Sequence, residues 1–206
     1  MNIGDYLNLI PKSQSDLLLQ EWGYDLVHEY FHIAEQLPAT KHPVIELATG
    51  TGRMCAVLSC LHPNVISGDL SLKDLPRTQQ RIPMQFSERV RFLQLDMEHL
   101  PFGTERMHTL VCMNTLHEVA NPLICLHEMI RVMHPHGILT VGDFQREGYN
   151  AMQQIHNIVY HNEHDEGSIS SDEIRMTLQA SFHSVQSLST QLNITYFASE
   201  KISHQN

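Results

Sequence analysis

Apolar and polar positions along this chain alternate between two patterns. Short apolar runs bounded by Gly, Pro and Asn are typical of strands, and apolar residues spaced three or four apart are typical of helices. The runs predict strands at 44–48, 65–70, 90–95, 110–113 and 138–144. Helical spacing fills most of the gaps between them, as at 122–133. Strands separated by helices predict crossover connections and a mostly parallel sheet.

The two ends of the chain carry different patterns. From Ser15 to Leu37 apolar positions recur at helical spacing, and Pro38 follows. Pro135-His136-Gly137 predicts a turn before the fifth strand. After residue 144, two helical stretches at about 149–161 and 171–180 precede short strands at 185–188 and 194–198, which predict a hairpin at one sheet edge.

These patterns predict an α/β fold. We expect a Rossmann-like doubly wound sheet, mostly parallel with a C-terminal antiparallel hairpin strand, and helices on both faces. Because no repeat or long linker interrupts the chain, we expect one domain over 1–206. Within it we expect an N-terminal helical lid at 1–40, a ligand-binding core at 44–144, and substrate-side helices and the hairpin at 145–206.

Charge and composition narrow the function. The formal charge is −10 with only 13 Lys and Arg, which argues against nucleic-acid binding because phosphate contacts need clustered basic residues. No apolar run reaches the ~18 residues of a membrane span, and no signal-peptide pattern opens the chain. The four cysteines form no CxxC pair and lie among apolar neighbours, so we expect reduced thiols and a cytoplasmic location.

The stretch V-I-E-L-A-T-G-T-G-R at 44–53 predicts a strand that ends in a ligand-binding glycine turn. A phosphate-binding P-loop is excluded because Arg53-Met54 follows Gly52 where Lys-Ser/Thr is required. The dinucleotide fingerprint needs a third glycine, and Cys55 stands at that position. That glycine permits close helix–strand packing beside a pyrophosphate, so its absence weighs against NAD or FAD.

E-L-A-T-G-T-G-R resembles motif I of the class I S-adenosylmethionine-dependent methyltransferases, with Ala48 in place of the more usual first glycine. The resemblance continues in order through S-G-D-L-S (67–71), L-Q-L-D-M-E-H-L-P-F (93–102), L-V-C-M-N-T-L-H-E-V-A-N-P (110–122) and the helix and strand at 126–144. It thus covers about residues 44–144. One glycine pair would be a weak signal, but an ordered set of motifs is specific.

The resemblance implies S-adenosyl-L-methionine as cofactor, S-adenosyl-L-homocysteine as product, and no metal. Asp69 would hold the ribose hydroxyls, Asp96 the adenine amino group and Met97 the adenine ring edge. The chemistry agrees, because carboxylates at strand ends accept hydrogen bonds from O–H and N–H donors. The full set of cofactor-binding residues that we expect is Glu46, Ala48, Thr49, Gly50, Gly52, Asp69, Leu70, Asp96, Met97, Met113 and Asn114.

The predicted reaction is transfer of a methyl group to a small-molecule acceptor by in-line displacement, in a monomer or homodimer. The segment N-T-L-H at 114–117 differs from the N/D-P-P-[YF] motif of similar enzymes that act on amide or adenine nitrogens. His117 is a candidate general base or acceptor-positioning residue, and packing or loop capping is an equal alternative. A protein that binds the cofactor without catalysis also stays open.

Other features compete for a role. His28-Glu29-Tyr30-Phe31-His32 matches HExxH, a zinc-hydrolase signature, but neither Glu35 nor Pro38 matches its extended form. We therefore favour two histidines on a covering helix. The polar stretch 161–166 is either a metal or substrate site or, more simply, a solvated loop. Aromatic residues at the N-terminus either form a lid over the cofactor or belong to the helix core, namely Tyr6, Trp22 and Tyr24.

Overall fold

The computed structural model describes residues 2–163 and 167–202, which form seven strands and eight α-helices. The strands are β1 Val44–Leu47, β2 Val65–Asp69, β3 Val90–Gln94, β4 Met107–Met113, β5 Met133–Phe144, β6 Phe182–Ser189 and β7 Asn193–Lys201. The helices are α1 Ile3–Leu9, α2 Gln14–Glu21, α3 Leu26–Ala34, α4 Arg53–Leu61, α5 Leu75–Arg81, α6 Pro122–Val132, α7 Arg146–Ile155 and α8 Ser171–Ser181. A 3₁₀-helix spans Met84–Arg89, and a π-helix spans His156–Tyr160.

The strands form one sheet in the order β3-β2-β1-β4-β5-β7-β6. β1 to β5 pair in parallel, and β7 pairs antiparallel with both of its neighbours. The chain order reverses between β1 and β4, and open α/β sheets bind ligands outside the carboxyl ends of their strands at such a point. The predicted fold class, including the C-terminal hairpin at one edge, is confirmed.

Helices cover both faces of the sheet because successive side chains of each strand point to opposite faces. On β1, Val44 belongs to the core that contains Phe31 of α3 and Leu58 of α4. Ile45, the next residue, belongs to the other core, which contains Leu126 of α6. Both faces of the central strands are therefore apolar, as is typical of parallel sheets.

The N-terminal region is more divided than its pattern predicts. The helical stretch that we expected from Ser15 to Leu37 is two helices, α2 and α3, and the separate helix α1 precedes them within the expected helical region 1–40. The break falls at Gly23, whose φ of 87° is left-handed, and Tyr24 N–H donates to the Leu19 carbonyl at 2.8 Å to close α2. The apolar spacing continues across the break because both helices bury side chains in the same core.

The predicted turn at Pro135-His136-Gly137 is a bulge inside β5: Met107 of β4 pairs with Met133 and Thr109 pairs with Ile138, so β5 carries three extra residues between these pairs. Likewise β4 begins at Met107, three residues earlier than we expected. A Cβ on Gly137 would lie 2.9 Å from the carbonyl oxygens of Met107 and His108, so a glycine is needed where the two strands approach closely. Proline and glycine here therefore mark an interruption of the strand pairing and not a turn that precedes the strand.

Cys55, Cys60, Cys112 and Cys125 are free and buried, as expected for reduced thiols. Among the helices of the described residues, none has the length and apolar character required to cross a membrane.

Candidate active site

A cavity of about 570 Å³ lies at the carboxyl ends of β1, β2 and β4, within the ~300–1,000 Å³ range of small-molecule sites. Ten of the eleven predicted cofactor-binding residues line it. They are Glu46, Ala48, Thr49, Gly50, Asp69, Leu70, Asp96, Met97, Met113 and Asn114. The sequence motifs therefore converge on one cavity although they are spread over 69 residue positions of the chain, from 46 to 114.

The turn after β1 is shaped by left-handed backbone. Ala48, Gly50 and Gly52 have φ values of 58°, 50° and 80°. Gly52, the one predicted residue outside the cavity wall, directly precedes α4 as its N-cap, and a Cβ there would lie 2.6 Å from Cγ2 of Thr78. Its role in the structure is thus close packing of the turn against α5, which leaves Gly50 to face the cavity.

Glu46 is a buried carboxyl group at the base of the cavity. Ser67 Oγ donates a hydrogen bond to it, and Thr49 Oγ1 lies 2.6 Å from Ser67 Oγ. Burial raises the pKa of Glu46 to about 7, and the nearby Asp69 adds to that rise against the Ser67 hydrogen bond. A positive ligand in the cavity would favour the ionised carboxylate, so this position is suited to a cation.

Backbone N–H groups hold the carboxylates at the ends of β2 and β3. Gly50 N donates to Asp69 Oδ2 at 2.9 Å, and Ser71 N donates to Asp69 Oδ1 at 3.1 Å. Glu98 N donates to Asp96 Oδ1 at 2.8 Å. Because a carboxylate accepts about four hydrogen bonds, both groups keep capacity for donors of a ligand. The arrangement suits a nucleoside, whose ribose and adenine present O–H and N–H groups.

The other end of the cavity is formed by the N-terminal helices and the segment after β5. Tyr30 of α3 accepts a hydrogen bond from Asn114 Nδ2 at 2.8 Å, and burial raises the pKa of the Tyr30 phenol. Asn114 has a left-handed φ of 52°, and its buried Oδ1 has no hydrogen-bond partner in the described residues. Apolar and aromatic side chains complete this end, among them Leu26, Met54, Phe144, Met152 and Tyr160.

The structure does not support His117 as a general base. Its ring lies behind the cavity wall, fully buried, with Nδ1 2.6 Å from Asp143 Oδ1. Burial alone would lower the pKa of His117, but hydrogen bonds with Asp143 and Glu118 outweigh it and raise the pKa to about 9. Because the imidazole is then protonated at neutral pH, it cannot accept a proton. The packing alternative is the one that the geometry favours, since His117 fixes the loop after β4 against the end of β5.

The HExxH match does not form a zinc site. His28 and His32 stack edge to face with ring centroids 4.5 Å apart, but Glu29 points away from them into the protein. Glu29 accepts hydrogen bonds from Leu192 N at 3.0 Å, Asn193 Nδ2 at 2.6 Å and Thr190 Oγ1 at 2.5 Å. Across residues 2–163 and 167–202, no group of three His, Cys, Asp or Glu residues is placed to hold a metal ion. Glu29 is an anchor for the turn of the β6–β7 hairpin.

The remaining candidates have structural roles or fall partly outside the described residues. Tyr6 stacks on Phe31 at 6.0 Å, and Trp22 and Tyr24 pack against the same core, so these aromatics match the helix-core alternative. From the N-terminal helices, Leu26 and Tyr30 reach the cavity instead. Of the polar stretch 161–166, positions 164–166 lie outside the described residues.

Sequence reasoning missed a charged side chain in the cavity wall. Arg53 had served only to exclude a P-loop, yet it lines the cavity and is ion-paired with Asp16 of α2 at 2.7 Å. Asp16 also pairs with Arg81 of α5 at 2.6 Å. The sequence did carry a signal for the partner of Arg53. Ser13-Gln14-Ser15-Asp16 is a helix-start pattern, and it forms a capping box that places Asp16 in the first turn of α2.

Sheet order, turn and cavity together define the class I S-adenosylmethionine-dependent methyltransferases. The residues fit that cofactor: the strand-end acids face a nucleoside, a buried acid favours a cation, and Cys55 fills the position at which a pyrophosphate-binding turn has glycine. The family model described as "Methyltransferase domain" matches residues 39–200, so the chain belongs to that family and its cofactor is S-adenosylmethionine.

Individual relatives are more distant. A demethylmenaquinone methyltransferase of Porphyromonas gingivalis is 31% identical over 144 residues, which cover 64% of this chain and 58% of that protein. One of Clavibacter sepedonicus is 28% identical over 120 residues, covering 55% and 48%. The chain thus spans about half the length of these curated relatives.

Solved structures share the fold at low identity. A SAM-dependent methyltransferase from Aquifex aeolicus superposes with a TM-score of 0.60 at 16% identity, covering 96% of this chain and 98% of that one. The CurJ carbon methyltransferase superposes with a TM-score of 0.67 at 17% identity, covering 91% and 59%.

Proposed function

We propose that this protein transfers the methyl group of S-adenosylmethionine to a small-molecule acceptor by in-line displacement. The observation that carries the proposal is the single cavity in which Asp69 and Asp96, both held by backbone N–H groups, lie together with the buried Glu46. When bound, the cofactor supplies an electrophilic methyl group on a positively charged sulfur.

Each group of residues has a separate task in this proposal. Asp69 accepts hydrogen bonds from the ribose hydroxyls, and Asp96 accepts them from the adenine amino group, beside Met97. Glu46 orients the turn and favours the positive charge. Because a sulfonium is already reactive, the remaining task is to align the acceptor and exclude water, to which the apolar and aromatic side chains at the acceptor end of the cavity contribute.

The acceptor end of the cavity favours a small aromatic acceptor. Tyr30 and Tyr160 contribute aromatic side chains to the wall, and Leu26, Phe144 and Met152 add apolar surface. This composition suits a hydroxylated ring, and the 31% identity with a demethylmenaquinone methyltransferase supports the same class. We therefore propose, as the finer assignment, methylation of a hydroquinone-like ring.

Calorimetric titration of the purified protein tests the cofactor site. We expect S-adenosylmethionine and S-adenosylhomocysteine to bind and NAD not to bind. Asp69→Asn removes the charge that accepts the ribose hydroxyls, so we expect about 10- to 100-fold weaker binding, the range of a charged hydrogen bond. Asp172→Asn, which changes the same charge on the exposed face of α8, is the control. Binding of NAD in preference to the adenosyl compounds would overturn the assignment.

Incubation with S-adenosylmethionine and a panel of acceptors tests the reaction. We expect formation of S-adenosylhomocysteine with reduced demethylnaphthoquinones or related phenols, with one methyl group added to the acceptor for each S-adenosylhomocysteine formed. Binding of S-adenosylmethionine without turnover on any phenol, amine, thiol or acid of a broad panel would instead identify a non-catalytic binder.

A further inference from the structure

Four histidine rings lie in a row at the amino-terminal ends of the central strands, at the end of the sheet away from the cavity. The ring centroids of His42 and His108 are 3.8 Å apart with planes 12° from parallel, and those of His108 and His134 are 4.2 Å apart with planes 27° from parallel. The ring of His136 follows, with its centroid 5.6 Å from that of His134. We call these four residues the histidine stack.

The histidine stack connects three segments of the chain. His42 lies in the linker between α3 and β1, His108 is the second residue of β4, and both His134 and His136 lie in the bulge of β5. In the other direction the linker leads to α3, which contributes to the cavity wall. The stack therefore holds the linker against the β4–β5 pair at the point where the regular pairing of these strands is interrupted.

Nδ1 of His134 accepts a hydrogen bond from the backbone. His136 N donates to it at 3.1 Å. Only an unprotonated ring nitrogen can accept a hydrogen bond, because both nitrogens of a protonated imidazole are donors. The contact therefore requires a neutral His134. Protonation of Nδ1 would place two donors against each other and release the backbone N–H of His136.

Positive charge is unfavourable within the histidine stack. Burial, together with the neighbouring rings of His42, His134 and His136, lowers the pKa of His108. Like charges a few ångströms apart disfavour each other. Each ring that takes up a proton therefore weakens the contact with the rings on either side of it.

The other charged groups at this end of the sheet do not offset that effect. They are Lys41 beside His42, Arg106 before β4, Glu200 of β7, the Glu105–Lys201 pair at 3.3 Å and the Glu128–Arg131 pair at 2.6 Å. Within the described residues, none of these groups contributes to the pKa of His108. Two of the three carboxylates are already paired with a basic side chain, so a proton added to the stack gains no ion pair from them.

We propose that the histidine stack is a pH-sensitive switch, which joins the linker before β1 to the β4–β5 pair while its rings are neutral and releases the linker when they are protonated. The stacking of the rings and the hydrogen bond to His134 Nδ1 both require neutral imidazoles, so mild acid removes them together. Histidine is the side chain whose charge changes most readily between about pH 5 and 8. The inference does not depend on the proposed cofactor or acceptor, because the stack lies at the other end of the sheet.

Hydrogen exchange measured by NMR on the full chain tests the switch. The readout is the protection of the His136 amide, which compares its exchange rate with the rate of an unstructured amide at the same pH. We expect this protection to fall by about 10-fold between about pH 7.5 and about pH 5, the range of one hydrogen bond, while the Leu139 amide within β5 keeps its protection. Side-chain nitrogen-15 spectra at the higher pH should show His134 with an unprotonated Nδ1.

A substitution at His134 assigns the change to the ring nitrogen. In His134→Asn, the side-chain amide oxygen replaces Nδ1 as an acceptor that does not titrate. The His136 amide of this variant should therefore keep its protection at both pH values.

A substitution at His108 measures the effect of charge at the centre of the stack. His108→Phe keeps a ring there but removes the imidazole whose pKa is lowered. Because the folded state disfavours this proton, the unaltered protein loses stability as the pH falls below the ordinary histidine value of about 6.5. The urea midpoint of His108→Phe should therefore fall less over the same pH range. His183→Phe, at an exposed histidine of β6, is the matched control and should keep the pH dependence of the unaltered protein.

Equal protection of the His136 amide at both pH values in the unaltered protein would overturn the inference, as would an equal fall of protection in His134→Asn. If the urea midpoints of His108→Phe and His183→Phe depend on pH in the same way, the stack only packs the linker and the inference is also wrong. Loss of protection at Leu139 together with His136 would show unfolding of the whole sheet and contradict a local switch. Should His108→Phe fail to fold, the exchange measurements on the unaltered protein and His134→Asn still decide.

Discussion

Replacing Glu29 separates an anchoring role from a metal-site role at the HExxH match. The carboxylate is buried and accepts hydrogen bonds from Thr190, Leu192 and Asn193 in the β6–β7 turn. Glu29→Ala therefore leaves three donors of the turn without this acceptor. A zinc-site role would instead make His28 and His32 the sensitive residues.

The size of the effect follows from these contacts. A hydrogen bond to a charged group contributes about 1.5–3 kcal/mol, and bonds that share one acceptor are not additive. We therefore expect Glu29→Ala to lower the free energy of unfolding by about 3–5 kcal/mol, a large part of the ~5–15 kcal/mol of a typical domain. Glu29→Gln keeps an acceptor oxygen for part of the network and should cost less.

Urea unfolding, followed by circular dichroism, measures these differences, with His32→Ala as the matched control. His32 is exposed on the same helix, so we expect its loss to change stability by less than about 0.5 kcal/mol. A cost below about 1 kcal/mol for Glu29→Ala, together with zinc bound at unit stoichiometry and lost in His32→Ala, would refute the anchoring role.

Two further stability predictions follow from the site. His117→Gln removes an imidazole whose pKa is raised from 6.5 to about 9, so its contribution to stability is full below pH 6.5 and is lost as the pH rises through 9. The stability that the variant lacks, measured by urea unfolding, should therefore shrink by about 3 kcal/mol between pH 6 and pH 10. An equal loss of stability at both pH values would contradict this. Gly52→Ala should lower stability in thermal unfolding by about 2 kcal/mol or more, because the new Cβ meets Thr78 at 2.6 Å as well as adopting a left-handed φ. Gly50→Ala, with no contact closer than 3.9 Å, should cost less, and Thr78→Ser should rescue part of the Gly52→Ala loss but none of the Gly50→Ala loss.

The central strands were predictable because they are buried on both faces. Short apolar runs such as 44–47 and 110–113 have few alternatives in a parallel sheet, and Asp69 and Asp96 stand at the end of β2 and just after β3. Asp69 and Asp96 could therefore be predicted to lie at the same edge of the sheet, and both line the cavity there. Residues that follow parallel strands meet at one sheet edge whatever the helices do.

The N-terminal helices were less predictable for a local reason. Apolar spacing reports which side chains are buried, but it does not report a break between two helices that bury the same core. The break at Gly23 and the capping boxes at Asn2 and Ser13 were readable only as weak signals, since each capping box has Asp at the position usually held by Glu or Gln. The predicted bounds of the N-terminal helices were therefore wrong, although the burial of their apolar side chains was predicted correctly.

The HExxH match shows why side-chain partners across the fold could not be predicted. Residues at i and i+4 share a helix face, so the sequence correctly predicts that His28 and His32 are neighbours. Glu29, one position further, is rotated by about 100° around the helix, and its surroundings depend on what docks there. The β6–β7 turn, more than 160 positions away, docks on that face. The same holds for Asp16 and Arg53, which lie 37 positions apart. Local spacing fixes the faces of a helix, and only the docking of distant elements decides which carboxylate becomes an anchor and which arginine reaches the cavity.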